Sequence, residues 1–203
     1  MYHRAKAHFK KADPVLYRAA KLHKIADIRR SSDVFGDLVH AIVNQQLSGK
    51  AAETIFGRLK VLAGKSGVTP KAIAKLKTPS MRTCGLSAAK VKSIKGLAKS
   101  VVRGEINLVE IHKHDDDKVM ELLTSIKGIG PWTAEMILMF SLGRQDIFSK
   151  GDLGLRKGIM HLYKLRKMPS DRTMDHLAKK WSPYRTYAAR VLWRVADGEK
   201  GTW

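Results

Sequence analysis

The chain has 203 residues, of which 44% are hydrophobic, so it can bury the core of one large domain or of two small ones that share a cleft. Its 39 lysines and arginines against 18 acidic residues leave a formal charge of +21, which predicts a polyanionic partner. A basic protein of the ribosomal type has a similar composition. The single cysteine, Cys84, excludes a disulfide within the chain and any cluster held by four cysteines.

The sequence carries no pattern typical of secretion or of a membrane span. Its first residues lack the continuous apolar core of a signal peptide. The most apolar run, residues 136–142, is far too short to cross a bilayer. We therefore expect a soluble protein of a reducing compartment, which is the cytoplasm and nucleoid of a bacterium or the nucleus of a eukaryote.

The first part of the chain predicts three helices. Ser31 and Ser32 restart the chain after the first of them, and helical spacing from Val34 predicts a second that leads to the polar stretch Gln45-Gln46-Leu47-Ser48. Ser48 is suited to cap a third helix. The first helix opens at Asp13-Pro14 and carries on its apolar side Val15, Leu16, Ala19 and Leu22.

Short helices followed by a longer one are predicted between residues 69 and 104. Thr69-Pro70 and Thr78-Pro79 each offer a capping threonine followed by a proline in the first turn. The segment Cys84-Gly85-Leu86-Ser87 stops one helix and starts another, which ends near Gly104. We expect Cys84 to be a small buried residue near a helix end.

The strongest local motif, within residues 119–158, is a helix, a tight turn and a second helix. Helical spacing of apolar residues breaks at Gly128-Ile129-Gly130-Pro131 and then resumes. The two glycines permit positive φ and leave backbone N–H groups uncovered, and such groups at a helix start attract a phosphate. Asp115-Asp116-Asp117 precedes the first helix and is interpreted as a partner of the helix dipole, not as a metal site. Asp152 falls where the next helix begins, which predicts a carboxylate close to a phosphate-binding hairpin.

Beyond Asp152 the sequence predicts helices over residues 153–163, 170–181 and 182–197. No sustained strand pattern, internal repeat or long linker interrupts them. The histidines form no zinc-binding spacing, and there is no P-loop. We therefore predict an all-α fold.

Three stretches of the chain resemble the helix-hairpin-helix superfamily of base-excision DNA glycosylases and, within it, the 3-methyladenine DNA glycosylase II (alkylated-base) branch. They are IKGIGPWTA at 126–134 followed by Asp152, IVNQQLS at 42–48, and WSPYRTYA at 181–188 running on to Trp193. The hairpin by itself also occurs in non-enzymatic DNA-binding proteins, so the specific signal is the combination of hairpin, aspartate and QQLS stretch.

The resemblance implies a particular domain organisation. It implies two helical lobes that flank a DNA-binding cleft, without an iron–sulfur cluster. The lobes would form a single compact unit over residues 1–203, with a middle lobe of about 32–112. The second lobe, about 113–203, would contain the hairpin and pack with the N-terminal helix.

Asp152 is the expected catalytic residue. Cleavage of an N-glycosidic bond generates positive charge on the sugar, so a fixed carboxylate beside the anomeric carbon lowers the barrier. An isolated aspartate at such a position is ordinarily a helix cap. The resemblance assigns the position the essential aspartate, which either stabilises the sugar cation or orients the attacking water.

The resemblance also implies a base pocket. Superfamily members that nick the strand have a nucleophilic lysine where this chain has Trp132, so hydrolysis without strand cleavage is expected. Trp132 would stack on an alkylated base opposite Trp193, with Met136 on the same wall and Gln45 beside the flipped nucleotide. Core packing of the aromatic residues and a surface position for Gln45 are the plainer interpretations.

The remaining implied contacts are with the DNA backbone and with the gap left by the flipped base. The turn 85–88 occupies the place of the wedge loop, in which Leu86 or Ala88 would insert. A monovalent cation, Na⁺ or K⁺, would be held by the carbonyls of Thr124, Ile126 and Ile129, and no other cofactor is expected. The implied phosphate contacts are Gly128, Gly130, Thr133, Lys127 and Lys150.

Together these features predict a monomeric, monofunctional glycosylase that flips alkylated purines of the 3-methyladenine type out of double-stranded DNA and removes them, with no membrane partner. One alternative is a glycosylase for deaminated or mismatched bases. Another is a non-catalytic helix-hairpin-helix protein that binds DNA structures, in which Asp152 is only a cap.

Overall fold

The computed structural model describes residues 1–198, and its regular structure there is entirely helical, so the all-α prediction is confirmed. Short 3-10 helices cover Gly64–Ser66 and Ile111–Lys113, and a π-helical turn, Ile137–Ser141, continues α9. Residues 199–203, the end of the expected single unit, lie outside the described part. The α-helices are α1 Tyr2–Ala12, α2 Pro14–Leu22, α3 Val34–Asn44, α4 Gly49–Ala63, α5 Pro70–Lys75, α6 Thr78–Thr83, α7 Ala88–Val102, α8 Asp116–Thr124, α9 Pro131–Met136, α10 Leu153–Leu162, α11 Asp171–Trp181 and α12 Arg185–Ala196.

Side-chain caps set most of the helix starts, as the sequence predicts. The hydroxyls of Ser48 and Thr69 accept hydrogen bonds from the first turns of α4 and α5. One predicted start is wrong in detail. Thr78 lies inside the first turn of α6 and makes no cap bond, because the capping position belongs to Lys77. Helix α3 starts at Val34 as predicted, and its cap is Asp33, whose Oδ1 accepts from the Gly36 amide at 2.8 Å.

The N-terminus differs from the prediction in two respects. Helix α1 was not predicted, yet it buries Tyr2, Ala5 and Phe9. Leu22, assigned to the apolar side of α2, is 78% exposed. It is the last residue of that helix, and the chain becomes extended directly after it, so no further turn covers its side chain.

The chain divides into two compact units. One, which we call the terminal unit, consists of Met1–Arg30 and the chain from Gly143 onward; the other, the central unit, is Ser31–Leu142. The hairpin therefore groups with the residues expected to form the middle lobe, and the boundary does not fall near residue 112. The reason is packing, since α8 contacts α9 and the π turn contacts α3, both within the central unit.

Each unit has its own apolar core. In the terminal unit α10 packs along α12, while α2 contacts both of them and α1 contacts α11. In the central unit α3 contacts α4 and α7, and α5 packs on α7. Within residues 1–198 no helix has both the length and the apolar character that a membrane crossing requires. Cys84, at the end of α6, is 5% exposed, as expected for a small buried residue.

Candidate active site and nucleic-acid interface

Asp152 caps α10 from inside the terminal unit. Its Oδ1 accepts a hydrogen bond from the Leu155 amide at 2.8 Å, which is the cap expected for an aspartate at a helix start. The same oxygen accepts from the indole Nε1 of Trp193 at 3.0 Å. Asp152 is 9% exposed and Trp193 is 8% exposed. The carboxylate is therefore nearly buried, and two N–H groups that can only donate fix its orientation.

Two glycines on α10 allow α12 to come close enough for this contact. A Cβ on Gly154 would lie 2.9 Å from Cδ1 of Trp193 and 3.0 Å from Oδ1 of Asp152. One turn further along, a Cβ on Gly158 would lie 2.3 Å from the backbone oxygen of Leu192. A larger residue at either place would push the helices apart. The two glycines thus create the space in which Trp193 reaches Asp152.

A second buried aspartate of the terminal unit has a related arrangement. Asp13 caps α2 through Oδ1, which accepts from the amides of Val15 and Leu16, while Oδ2 accepts from Nε1 of Trp181 at 2.9 Å and from the hydroxyl of Tyr163. Burial, together with the bond to Asp13, raises the pKa of Tyr163. Four donors spread over both oxygens make Asp13 a structural anchor.

The hairpin of the central unit has the predicted form of a helix, a tight turn and a second helix. Helix α8 ends at Thr124 and α9 begins with Pro131 in its first turn. Gly128 has φ +93°, and a Cβ there would lie 2.3 Å from Oγ of Ser93, so only glycine fits. Gly130 has φ −92°, so of the two glycines only Gly128 uses the positive φ that glycine permits. The first-turn amides of α9 lack intrahelical acceptors, as at any helix start.

Gln45 contacts the hairpin from the end of α3. Its Nε2 donates to the Gly128 carbonyl at 2.9 Å and to Oγ1 of Thr133 at 3.4 Å. The two acceptors lie on opposite sides of the turn, so one amide group ties both sides together. The plain surface interpretation of Gln45 is therefore wrong, because this residue is half-buried and braces the hairpin.

The residues expected in the base pocket are distributed over both units. Trp132, at the start of α9, is 47% exposed, so it is not a core residue of the central unit. Met136, on the same helix, is half-buried. Trp193 belongs to the terminal unit and is buried there against Asp152. Within its own unit each tryptophan therefore has a distinct setting, one open to solvent and one bonded to a carboxylate.

Comparison with known proteins identifies the family. Residues 39–183 match the family described as HhH-GPD superfamily base excision DNA repair protein. The chain belongs to this superfamily. The matched residues include the QQLS stretch, the hairpin and Asp152, which are the features on which the resemblance was based.

Relatives of this HhH-GPD protein have consistent names. The DNA-3-methyladenine glycosylase 1 of Schizosaccharomyces pombe is 37% identical over 164 residues, which cover 80% of this chain and 72% of the relative. The DNA-3-methyladenine glycosylase of Saccharomyces cerevisiae is 30% identical, over 81% and 67% of the two chains. The structure of the 3-methyladenine DNA glycosylase of S. pombe in complex with abasic DNA is similar with a TM-score of 0.84, at 34% identity and over 94% and 95% of the two chains.

One expected contact residue of the HhH-GPD chain requires correction. Leu86 is 2% exposed, so its side chain packs in the core and has no free surface to insert into DNA. Ala88 is exposed but is the small first residue of α7. Leu47, which lies next to the hairpin brace, is an exposed leucine at 38% and follows Gln46 with its positive φ of 56°. Sequence inspection could not have separated the two leucines, because each directly precedes a serine that caps the next helix.

The basic side chains near the hairpin and those near Asp152 differ in their partners. Lys127 in the hairpin is exposed. Lys150 forms an ion pair with Asp175 at 3.2 Å, so part of its charge is already matched. Arg156 donates to the carbonyls of Lys150 and Pro169 and pairs with Asp171, and it therefore fixes the loops around α10.

Proposed function

We propose that this protein is a monofunctional DNA glycosylase that hydrolyses the N-glycosidic bond of alkylated purines of the 3-methyladenine type in double-stranded DNA. The observation that carries the proposal is Asp152, a nearly buried carboxylate at a helix start whose Oδ1 is fixed by an amide and an indole. The names of relatives at 30% and 37% identity support the substrate class. A monomeric state is part of the same proposal.

The proposed role of Asp152 is electrostatic. As the bond between the base and the sugar breaks, its electron pair leaves with the base and positive charge develops on the sugar. A carboxylate that is already oriented stabilises this charge without reorganising during the reaction. Water then adds to the sugar, which leaves an abasic site and a free base. In this proposal Asp152 would stabilise the cation or orient the incoming water.

The proposed absence of strand cleavage depends on Trp132. A glycosylase that also nicks DNA forms a Schiff base with the sugar through a lysine amine. The indole of Trp132 has no such nucleophile. Its exposed ring is suited instead to stack on a methylated purine, and cation–π attraction would favour a base that carries positive charge. Met136 would extend the same apolar wall.

DNA binding is assigned to the hairpin and the exposed turn beside it. The amides of Gly128, Gly130 and Thr133 would hold a backbone phosphate at the positive end of α9, with Lys127 adding charge. Lys150 would contribute less because it already pairs with Asp175. The formal charge of +21 supports a long-range attraction to DNA.

For the wedge we propose the Gln46–Leu47 turn in place of Leu86. Both residues are exposed, and they directly follow Gln45, which contacts the hairpin. Gln46 is a non-glycine residue with a φ of 56°, a conformation that costs free energy and tends to occur at functional sites. An exposed side chain held on strained backbone is suited to fill the gap left by an extruded base.

A monovalent cation at the hairpin is also proposed. The carbonyls of Thr124, Ile126 and Ile129 lie at the end of α8 and in the turn, where the helix dipole is negative, and oxygen ligands suit Na⁺ or K⁺. The Ile126 oxygen accepts from the Ile129 amide at 3.0 Å and keeps a second lone pair. A cation held by these three oxygens would strengthen phosphate binding and take no part in bond cleavage.

The test is base release from duplexes that each contain one defined lesion, with the wild type compared to Asp152→Asn. We expect the variant to release an alkylated purine about 10²–10³-fold more slowly, as when one charge-stabilising group is removed, and to keep its affinity for an abasic-site analogue. Asp33→Asn is the matched control because Asp33 also caps a helix, and it should release base at the wild-type rate.

The other outcomes separate the alternatives. Equal, nonzero release by the wild type and Asp152→Asn would remove Asp152 from its role. Release of hypoxanthine or a mismatched base, but not of an alkylated one, would indicate the glycosylase for deaminated or mismatched bases. Tight binding without release from any lesion would indicate the non-catalytic DNA-structure binder.

A further inference from the structure

The charged side chain of Lys90 is bonded to backbone carbonyls of the protein. It lies in the first turn of α7, and its ammonium donates to the backbone carbonyls of Val43 and Gln45, each at 2.8 Å. These carbonyls are at the end of α3, where backbone oxygens lack helical donors and the dipole is negative. Burial lowers the pKa of Lys90, which agrees with an amine that is turned toward the protein.

The residue that Lys90 holds by its backbone also holds the hairpin by its side chain. Nε2 of Gln45 donates to the Gly128 carbonyl at 2.9 Å and to Oγ1 of Thr133 at 3.4 Å. Helix α7 also contacts the hairpin directly, because Ser93 lies against Gly128. The end of α3, helix α7 and the hairpin are thus connected by the Lys90 ammonium, the Gln45 side-chain amide and the close contact between Ser93 and Gly128.

The exposed turn 46–47 starts at this connection. Gln46, with a φ of 56°, follows directly after the carbonyl that Lys90 fixes, and Leu47 comes next. A backbone conformation that is rare for non-glycine residues persists only when neighbouring contacts hold it. The bonds from Lys90 to the two preceding carbonyls are contacts of this kind.

We propose that Lys90 is a positioning residue that couples the exposed Gln46–Leu47 turn to the phosphate-binding hairpin, and that it is not itself a phosphate ligand. This inference rests on the proposed function, because the hairpin and the turn are assigned to DNA there. According to this inference, Lys90 affects DNA binding only by holding the backbone carbonyls of Val43 and Gln45, although most lysines of a strongly basic protein would be expected to attract phosphate directly.

The test compares Lys90→Met with two other lysine variants in binding to a duplex that carries an abasic-site analogue, over a range of salt concentrations. Lys90→Met should weaken binding about tenfold at every salt concentration and leave the salt slope unchanged, because no phosphate contact is lost. Lys127→Met should lower the slope by about 0.9, the value for one phosphate. Lys92→Met, an exposed lysine on the same helix, is the matched control for loss of charge and should weaken binding much less than Lys90→Met.

Coupling is tested by combining Lys90→Met with Gln45→Met. If Lys90 acts through Gln45, the double variant binds no more weakly than Gln45→Met alone, and Lys90→Arg, which can also bridge two carbonyls, restores most of the affinity. A lower salt slope for Lys90→Met, or effects that add, would overturn the inference.

A second measurement without DNA keeps the inference testable if the proposed function fails. Amide hydrogen exchange at Ile129, whose N–H donates across the hairpin turn to Ile126, should be faster in Lys90→Met and in Gln45→Met and unchanged in Lys92→Met. Unchanged exchange in Lys90→Met would overturn the coupling. Wild-type protein that does not prefer the abasic duplex over undamaged DNA would instead contradict the proposed function.

Discussion

Replacement of Trp193 by phenylalanine separates the two roles that this residue could have. The change keeps an aromatic ring in α12, removes the N–H that reaches Oδ1 of Asp152 at 3.0 Å, and makes the side chain smaller. A hydrogen bond to a charged group contributes about 1.5–3 kcal/mol. Because the Leu155 amide still holds the same oxygen, we take the lower end, and about 1.5 kcal/mol corresponds to a rate roughly tenfold lower.

The assay is single-turnover release of base from two duplexes, one with a positively charged alkylated purine and one with a neutral lesion. If the indole positions the carboxylate, Trp193→Phe slows release from both duplexes by the same factor and leaves the affinity for an abasic-site analogue unchanged. Trp181→Phe is the matched control, because its indole makes the same kind of bond to Asp13 at 2.9 Å. That variant should lose stability but release base at the wild-type rate.

Two results would refute this reasoning. A wild-type rate in Trp193→Phe would show that the indole N–H does not contribute to the orientation of Asp152 during catalysis. A loss confined to the positively charged lesion would show that the aromatic ring acts on the base, as the resemblance implied for this position.

Further predictions concern the terminal unit and helix glycines. Gly154→Ala should destabilise the protein by about 1–3 kcal/mol in urea unfolding and slow base release, since its Cβ would lie 2.9 Å from Trp193. Gly57→Ala is the control: a Cβ there would have nothing within 4 Å, so this variant should be neutral or up to about 1 kcal/mol more stable in the same measurement. Asp13→Asn should cost about 3 kcal/mol in the same measurement, because the amide nitrogen would face donors. Burial raises the pKa of Asp146, but hydrogen bonds from Arg185 and Ser182 outweigh it and hold the pKa below its ordinary value. The stabilisation that the Asp146 carboxylate provides is therefore present above its pKa in the unfolded chain, about 3.9, and is lost as the pH falls. The difference in stability between wild type and Asp146→Asn should accordingly shrink between about pH 5 and pH 2.

The predictions that were confirmed are mostly local. Ser48, Thr69 and Asp152 cap helices because a side-chain oxygen next to a first turn satisfies amides that no other group within the helix can reach. Gly128 adopts positive φ in the turn for an equally local reason. The prediction failed at Thr78, where a threonine before a proline suggested a cap but the helix starts one residue earlier.

The predictions that were corrected depend on which surface is covered. Leu86 and Leu47 are both leucines in turns, and nothing local distinguishes the one that is 2% exposed from the one that is 38% exposed. Gln45 has a polar side chain in a helical stretch, and its partner Gly128 lies 83 residues further along the chain. Lys90 is one of 39 basic residues in the sequence, and only the position of the α3 carbonyls distinguishes it from the others.

The sequence by itself determined most of the helices after α1, the hairpin and the candidate carboxylate, because spacing, caps and turn glycines act over a few residues. It also determined the family, since short motifs at 42–48, 126–134 and 152 occur together. Only the tertiary structure decided that Trp193 binds Asp152, that Gln45 braces the hairpin and that Leu86 lies in the core. Hydrogen bonds and burial between distant segments depend on how whole helices pack, and no local pattern encodes that packing.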